Sequence, residues 1–333
     1  MNQMTTKRGP RREGAFGFAA PLNALRGSLS PLDWLFKLAT LLFALAIAGT
    51  VVAITLQMVM NTPLTFEKFG WSFVTRSVWN PVRDDFGALP FIYGTVVSSV
   101  IGLLIAVPVS VGVAIFLVET APRKLADPIS FVVQLLAAIP SVVYGLWAIF
   151  VLAPLLRRHI YPAIQSKLGY LPLFQGNPNG LGLLTAGIIL SIMVVPIITA
   201  VTTDVMRAAP QSQREAALAL GATKWEATII VLQNARSGIT GAVILGLGRA
   251  IGETMAVTMV IGNRPEISAS LFGPSFTIAS AIANEFSEAT TEIYKQALVE
   301  LGLILFVITF AINVAARLLV WAATRGQGKA ADA

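Results

Sequence analysis

The chain of 333 residues contains no cysteine and only one histidine. The lack of cysteine excludes disulfides and thiolate metal sites. His159 lies beside Arg157 and Arg158 in a polar stretch, where we expect a solvated surface histidine. The sequence shows no grouping of His, Asp and Glu of the kind that catalysis inside a membrane requires. We therefore expect no catalytic site, no metal and no cofactor in this chain.

Charge is also scarce, since 12% of residues are charged and 55% are hydrophobic, with a mean hydropathy of +0.74. An ordinary soluble domain is excluded by these values. Apolar runs of about twenty residues predict membrane-spanning helices. The six runs are 35–60, 92–118, 129–152, 181–205, 238–262 and 297–321. The predicted fold is all-α and polytopic, with Pro140 kinking the third span.

Lysine and arginine predict the orientation of the spans. Fifteen of the 24 such residues lie on the side that holds both termini, eight on the other side, and Arg249 inside a span. The positive-inside rule therefore places both termini in the cytoplasm. Because the N-terminal tail is polar and basic, without the apolar core of a cleavable signal, we expect a cytoplasmic arm that meets anionic lipids rather than nucleic acid.

The predicted organisation has four parts. They are a flexible basic cytoplasmic tail (1–34), a first transmembrane helix with an external loop (35–91), a core of five transmembrane helices (92–322) that contains a cytoplasmic coupling loop (204–236), and a cytoplasmic tail (323–333).

The fifth run carries two charges, Arg249 and Glu253. At 1.5 Å per residue, Arg249 lies about 17 Å from the start of the run, near the middle of a hydrocarbon core of about 30 Å. In an unbroken helix the two side chains share a face and can form an ion pair. Glycines around them, including Gly248 and Gly252, suit close approach of neighbouring helices rather than lipid.

Two interpretations of this pair stay open on physical grounds. It either orients helices permanently or lies on a substrate path, where the hydroxyl of Thr254 adds a donor. In the last span, we expect Asn313 and Arg317 near the cytoplasmic interface, with the Arg317 side chain reaching the lipid headgroups and no functional role.

The loop between the fourth and fifth spans predicts a short helix. Pro210 suits its first turn, and residues 213–220 favour helix until Gly221 ends it. Small alanines allow close approach of another protein, and Leu218, Leu220 and Trp225 provide apolar anchors. An ordinary connecting helix is the simpler interpretation of this pattern alone.

Two motifs in combination resemble a known family. EAALALGA at 215–222 is similar to the EAA loop of membrane subunits in bacterial ABC importers. GLGRAIGETMAVTMVIGN at 246–263 resembles the fifth-helix signature of phosphate importer permeases, the C-type of their two permease subunits. Further stretches that begin at Gly94, Leu135 and Ala186 extend the resemblance over about residues 92–321.

The resemblance implies a type I ABC importer permease fold and a heteromeric phosphate importer in the bacterial cytoplasmic membrane. The expected partners are an A-type permease, two ATPase subunits that hold ATP and Mg²⁺, an external phosphate-binding protein, phosphate and membrane lipids. The chain contains no G-x-x-x-x-G-K-[ST] loop, so ATP hydrolysis is expected elsewhere. The implied ATPase-docking positions are Glu215, Ala216, Ala217 and Gly221, and the implied pathway positions are Arg249, Glu253 and Thr254.

One departure from the family pattern follows the docking helix. Members commonly carry a leucine-proline pair there, whereas this chain has Gln233 and Asn234. Two alternative functions also remain: a permease for another oxyanion, such as sulfate or molybdate, and an independent secondary transporter or channel, against which the docking loop argues.

Overall fold

The computed structural model describes the backbone of residues 31–328 and the side chains of residues 32–318. Within these residues all regular elements are helices, beside two isolated β-bridges, as the all-α prediction requires. Most of the predicted N-terminal tail (1–34) and part of the C-terminal tail (323–333) lie outside the described residues.

The helices follow in chain order. They are α1 (Pro31–Met60), α2 (Pro63–Phe69), α3 (Ser72–Thr75), α4 (Leu89–Ile115), α5 (Arg123–Ala137), α6 (Ser141–Trp147), α7 (Ala153–Leu155), α8 (Tyr161–Leu168), α9 (Leu183–Arg207), α10 (Gln211–Ala219), α11 (Lys224–Gly252), α12 (Met255–Val260), α13 (Ile278–Glu285) and α14 (Glu292–Gly328). Short π-helical segments extend α4 (Phe116–Thr120) and join α6, α7 and α8 (Ala148–Leu152 and Leu156–Ile160).

The chain divides into two units, residues 1–55 and residues 56–333. The described part of the first unit is most of α1, whose side chains are apolar and largely exposed. Apart from the first spanning segment, everything described below belongs to the second unit.

Six helical segments among the described residues are long and apolar enough to cross a membrane, which confirms the predicted number. They are Leu32–Met60, Leu89–Thr120, Ser141–Leu168, Leu183–Arg207, Lys224–Gly252 and Glu292–Leu318.

The predicted position of the third span, residues 129–152, is wrong. The chain is extended at Pro140 (φ −59°, ψ 139°), so α5 ends before it and the spanning segment begins at Ser141. Proline lacks an N–H group and disfavours helix in the residue before it. The Tyr144 hydroxyl donates to the carbonyl of Leu136 at 2.9 Å, which satisfies one acceptor beside the break.

Helices α4 and α9 form the centre of the second unit. Glycines let them approach closely, because a Cβ on Gly102 would lie 3.0 Å from Leu190 and one on Gly187 would lie 2.4 Å from Ile101. Such contacts between small residues are the usual means of helix association in membranes. Helix α9 also packs against α11, and this pair leads to the candidate site.

The second unit has two ends. At the loop end (residues 61–88, 169–182 and 261–291), the N–H of Leu184 donates to Leu271 and that of Ile278 to the Thr95 hydroxyl. Helices α4, α9 and α14 begin at this end. At the elbow end (residues 116–125 and 204–226), α4 and α9 finish and α11 begins. Helix α11 therefore runs from the elbow end towards the loop end, and α14 runs in the opposite direction.

Candidate functional site

The fifth span is broken where its two charges lie, so the prediction of one helix over residues 238–262 is wrong. Helix α11 ends at Gly252, Glu253 is extended (φ −70°, ψ 126°), and α12 begins at Met255. Because Glu253 has left the helix, the four-residue spacing no longer places it on the face of Arg249. The described residues form three salt bridges, and neither side chain takes part in one.

The Glu253 carboxylate stabilises the break between α11 and α12. It is 7% exposed, and its Oε1 accepts the backbone N–H of Ala256 at 3.2 Å. That N–H is one of the donors at the start of α12 that has no partner within the helix. The predicted hydroxyl donor Thr254 turns back as well, donating to the Gly252 carbonyl at 3.3 Å. Both side chains thus hold the interruption beside Arg249.

Arg249 lies in the last turn of α11 and lines a cavity of about 900 Å³ between α9, α11 and α14. The cavity residues on α11 recur at spacings of three and four, which place them on one face. The lining consists of Ile197, Ser237, Gly241, Ile244, Leu245, Gly248, Arg249, Asn313 and Arg317. Ser237 and Arg249 are twelve residues apart, so the cavity follows α11 for about 18 Å.

Asn313 and Arg317 belong to this cavity, contrary to the expectation that they have no part in a site. Both lie on α14, four residues apart, where they face the same space as Arg249. The sequence held a signal, because this spacing places them on one helix face. That α14 turns this face towards α11 depends on packing between distant segments, which the sequence alone did not reveal.

The cavity is cationic. Among the described residues, its lining has two arginines and no carboxylate, and none of the three salt bridges between these residues involves either arginine. The Tyr144 phenol of α6 lies within electrostatic range of Arg249. A guanidinium in such a place is suited to an oxyanion, which it binds through two parallel hydrogen bonds.

Glycines divide α11 into two faces. A Cβ on Gly238 would meet Val205 and one on Gly246 would meet Val194, so these two glycines fit α11 against α9. A Cβ on Gly241, Gly248 or Gly252 would meet nothing within 4 Å. The second set, which contains the G-x-x-x-G pair, therefore has open space beside it among the described residues, and Gly241 and Gly248 line the cavity.

The predicted short helix of the elbow end is present as α10. One cap ends α10, and a second cap begins α11. Gly221 has a φ of 87°, its N–H donates to Leu218, and the N–H of Ala222 donates to Ala217. This is the Schellman arrangement, which needs the left-handed backbone that glycine adopts freely. Thr223 and Glu226 then form a capping box that begins α11. The turn between α10 and α11 is thus closely specified by its sequence.

The structure separates the four predicted docking positions. Glu215 and Ala216 are exposed, as is Gly221, whereas Ala217 is buried and holds α10 against the protein. Three large apolar side chains beside them are exposed: Leu218 at 48%, Leu220 at 90% and Trp225 at 62%. An exposed apolar patch of this kind is typical of a protein contact surface.

Helix α10 is joined to two other helices by side chains. Arg214 donates through Nε and Nη2 to Oε1 of Glu119, at 3.0 and 2.6 Å, and both side chains are largely buried. The Asn234 side-chain amide donates to Oε1 of Gln213 at 2.5 Å. At Gln233 and Asn234, α11 is therefore continuous, and Asn234 binds α10.

The loop end holds a buried carboxylate among aromatic rings. Glu285 accepts from the Trp79 indole at 2.7 Å and from the Tyr294 hydroxyl at 2.8 Å. Burial raises the pKa of Glu285, and these two hydrogen bonds oppose that shift. The cluster fixes α13 to the start of α14 and to the segment that contains Trp79.

Comparison with known proteins places this architecture in a class. Residues 106–323 match the family described as binding-protein-dependent transport system inner membrane component. The match covers more than half of the chain, and the chain belongs to that family. It is a multi-pass membrane protein of a transport system.

Two phosphate transport permeases and one solved transporter structure are similar to this chain. The phosphate transport system permease protein PstC of Haemophilus influenzae is 46% identical over 303 residues, which cover 90% of this chain and 96% of the relative. The protein of the same name from Mesorhizobium japonicum is 48% identical over 293 residues, 86% of this chain and 90% of the relative. A solved inward-facing structure of the MetNI methionine ABC transporter aligns with 73% of this chain and 96% of its own, at 18% identity and a TM-score of 0.49.

Proposed function

We propose that this chain is one membrane-spanning subunit of an ATP-driven phosphate importer, with both termini in the cytoplasm. The observation that carries the proposal is the cationic cavity, whose described lining contains Arg249 and no carboxylate. The near full-length similarity to phosphate transport permeases supports phosphate as the substrate.

Arg249 is the proposed phosphate contact in the path. Its planar guanidinium suits bidentate recognition of an oxyanion, and no ion pair among the described residues occupies it. The alternative of a permanent Arg249–Glu253 pair has no support in this conformation. Glu253 and Thr254 are proposed to shape the path beside Arg249, and Glu253 can exchange with the anion if α11 and α12 rearrange.

Helix α10 and the turn that follows it, at the elbow end, form the proposed docking surface for an ATPase chain, which supplies the ATP and Mg²⁺ chemistry. Glu215, Ala216 and Gly221 present an exposed surface, and Leu218, Leu220 and Trp225 add apolar contact area. Movement of α10 would reach α4 through the Arg214–Glu119 pair and α11 through Gln213 and Asn234.

Further partners follow from the remaining surfaces. The open glycine face of α11, with Gly241, Gly248 and Gly252, allows the second permease subunit to approach closely and to complete the path. The loop end is the proposed contact for an external phosphate-binding protein. The proposed membrane is the bacterial cytoplasmic membrane.

The test uses the complete complex in vesicles, with uptake and ATP hydrolysis measured for phosphate and for sulfate. Arg249→Gln should lower phosphate uptake at least about tenfold, because a hydrogen bond to a charged group contributes roughly 1.5–3 kcal/mol. The matched control is Arg123→Gln, which changes an exposed arginine outside the cavity. Near-normal uptake by Arg249→Gln would remove the pathway role, and equal transport of sulfate would remove the assignment to phosphate.

A further inference from the structure

Two arginines from antiparallel helices share the cavity, and they occupy different depths. Arg317 is 25 residues along α14, about 38 Å from the loop end, where α14 begins. Arg249 lies only thirteen residues before Gly262, which belongs to the loop end. Arg317 is therefore on the elbow side of Arg249, along the same cavity.

The surroundings of Arg317 suit an anion. Its helical neighbour Asn313 is half-buried and donates one amide hydrogen to the Thr309 carbonyl at 2.8 Å, which leaves a second amide hydrogen for another acceptor. Within the part of the chain that the structure describes, no carboxylate lines the cavity and no ion pair includes Arg317. An exposed guanidinium within a predominantly apolar helix needs an anionic or polar partner.

We propose that Arg317 and Asn313 form a second oxyanion site, which takes phosphate from Arg249 and releases it at the elbow side. This inference rests on the function proposed above. A path must bind its ion strongly enough to admit it and weakly enough to release it, which several successive sites achieve better than one strong site. Arg317 supplies the next favourable position for a phosphate that leaves Arg249.

A lipid headgroup has the same phosphate chemistry and is the other source of an anion at this depth. The two sources differ in their response to membrane composition. Free phosphate on the path competes with transported phosphate whatever the lipid, whereas binding of an anionic headgroup depends on its fraction in the membrane.

The experiment measures inhibition of transport by phosphate added on the ATPase side of vesicles that contain the complete complex. The variants are Arg317→Gln, Arg317→Lys, Asn313→Ala, Arg249→Gln and the control Arg123→Gln. We expect Arg317→Gln to raise the half-inhibitory phosphate concentration about tenfold, a change that follows from the loss of one charge-assisted contact. Arg317→Lys should give a smaller change, because lysine keeps the charge and loses the planar fork. Asn313→Ala should also give a smaller one.

The results distinguish a failure of the second site from a failure of the pathway role proposed for Arg249. Wild-type transport that is insensitive to phosphate on the ATPase side, or unchanged inhibition in Arg317→Gln, overturns the second site. If Arg249→Gln lowers uptake in that same experiment, the pathway role proposed for Arg249 stands; normal uptake by Arg249→Gln overturns that role, on which the second site depends.

The lipid source is tested by repeating the measurement in vesicles of phosphatidylcholine with and without phosphatidylglycerol. An Arg317→Gln deficit that is the same in both supports free phosphate, whereas a deficit confined to the anionic vesicles overturns the proposal in favour of a headgroup. If Arg317→Gln does not assemble with the other subunits, Arg317→Lys and Asn313→Ala decide the question, since both leave the charge of this helix face unchanged.

Discussion

The elbow end and the cavity use arginine in opposite ways. At the elbow, Arg214 is largely buried and donates twice to Glu119. In the cavity, Arg249 and Arg317 face open space, and no salt bridge among the described residues includes them. A paired charge fixes two elements to each other, whereas a charge without an ion-pair partner is free to bind a ligand. The difference separates a part that transmits movement from a part that contacts the transported ion.

The largest effect on this comparison is expected from breaking the elbow pair. Glu119→Gln should reduce phosphate uptake per ATP hydrolysed about tenfold, because removal of one partner leaves a largely buried guanidinium with a weaker acceptor. The measurement is uptake and ATP hydrolysis in the same vesicles. Arg123→Gln is the control, since it removes an exposed charge near the pair without touching the pair.

The double variant Glu119→Arg with Arg214→Glu tests whether the pairing itself matters. Restoration of more than half of the coupling supports the role of the pair in transmitting movement. A Glu119→Gln complex with full coupling would show instead that α10 moves α4 by packing alone.

A smaller effect is expected from glycine-to-alanine substitutions on the two faces of α11. Gly246→Ala should destabilise the isolated chain by roughly 1–3 kcal/mol, because the added methyl overlaps Val194 and Ile198. Gly248→Ala should leave the isolated chain as stable or slightly more so, since its methyl meets open space and alanine favours helix.

In the complete complex, Gly248→Ala should no longer be harmless, because it should weaken assembly. If the second permease packs on this face, the methyl weakens assembly severalfold, measured as the yield of the complex after purification through another subunit. Unchanged yield with Gly248→Ala and with the larger Gly248→Leu would place the second permease elsewhere.

The smallest effect concerns Glu285, whose charge is satisfied by neutral donors rather than by a cation. Because the folded pKa of Glu285 is raised, its carboxyl is neutral in both folded and unfolded chains at low pH. Stability then falls as pH rises from the ordinary glutamate pKa towards the folded one. Glu285→Gln should remove this fall in a series of melting temperatures. Glu285→Ala should lower stability by about 1–3 kcal/mol at every pH, since two donors lose their acceptor.

The sequence predicted what depends on local patterns. Six apolar runs gave the number of spans, and the Gly221 cap with the preceding helix formers gave α10. The sequence did not predict the break in the fifth span, where an apolar run that favours one helix contains a carboxylate that interrupts it. Residues 238–262 are apolar enough for one helix, and only the carboxylate of Glu253, bonded to the N–H of Ala256, shows why the helix is interrupted.

The sequence predicted only that part of the candidate site which a local pattern reveals. Arg249 was evident as a charge within an apolar run. The cavity role of Arg317 and the Arg214–Glu119 pair require contacts between segments that are distant in the sequence. The Asn234–Gln213 hydrogen bond likewise joins α11 to α10 across a turn, and nothing in the sequence around Asn234 indicates which side chain it meets.

The central claim is that Arg249 meets phosphate in a water-accessible cavity, and the lack of cysteine allows a direct measurement. Leu245→Cys introduces the only thiol of this chain, one helical turn before Arg249 in the cavity lining. In the complete complex, a water-soluble thiol reagent should label Cys at this position, and loaded phosphate-binding protein with ATP should slow the labelling. Addition of Arg249→Gln should abolish that protection. Labelling that phosphate does not slow, or that is slowed equally after Arg249→Gln, would contradict the claim.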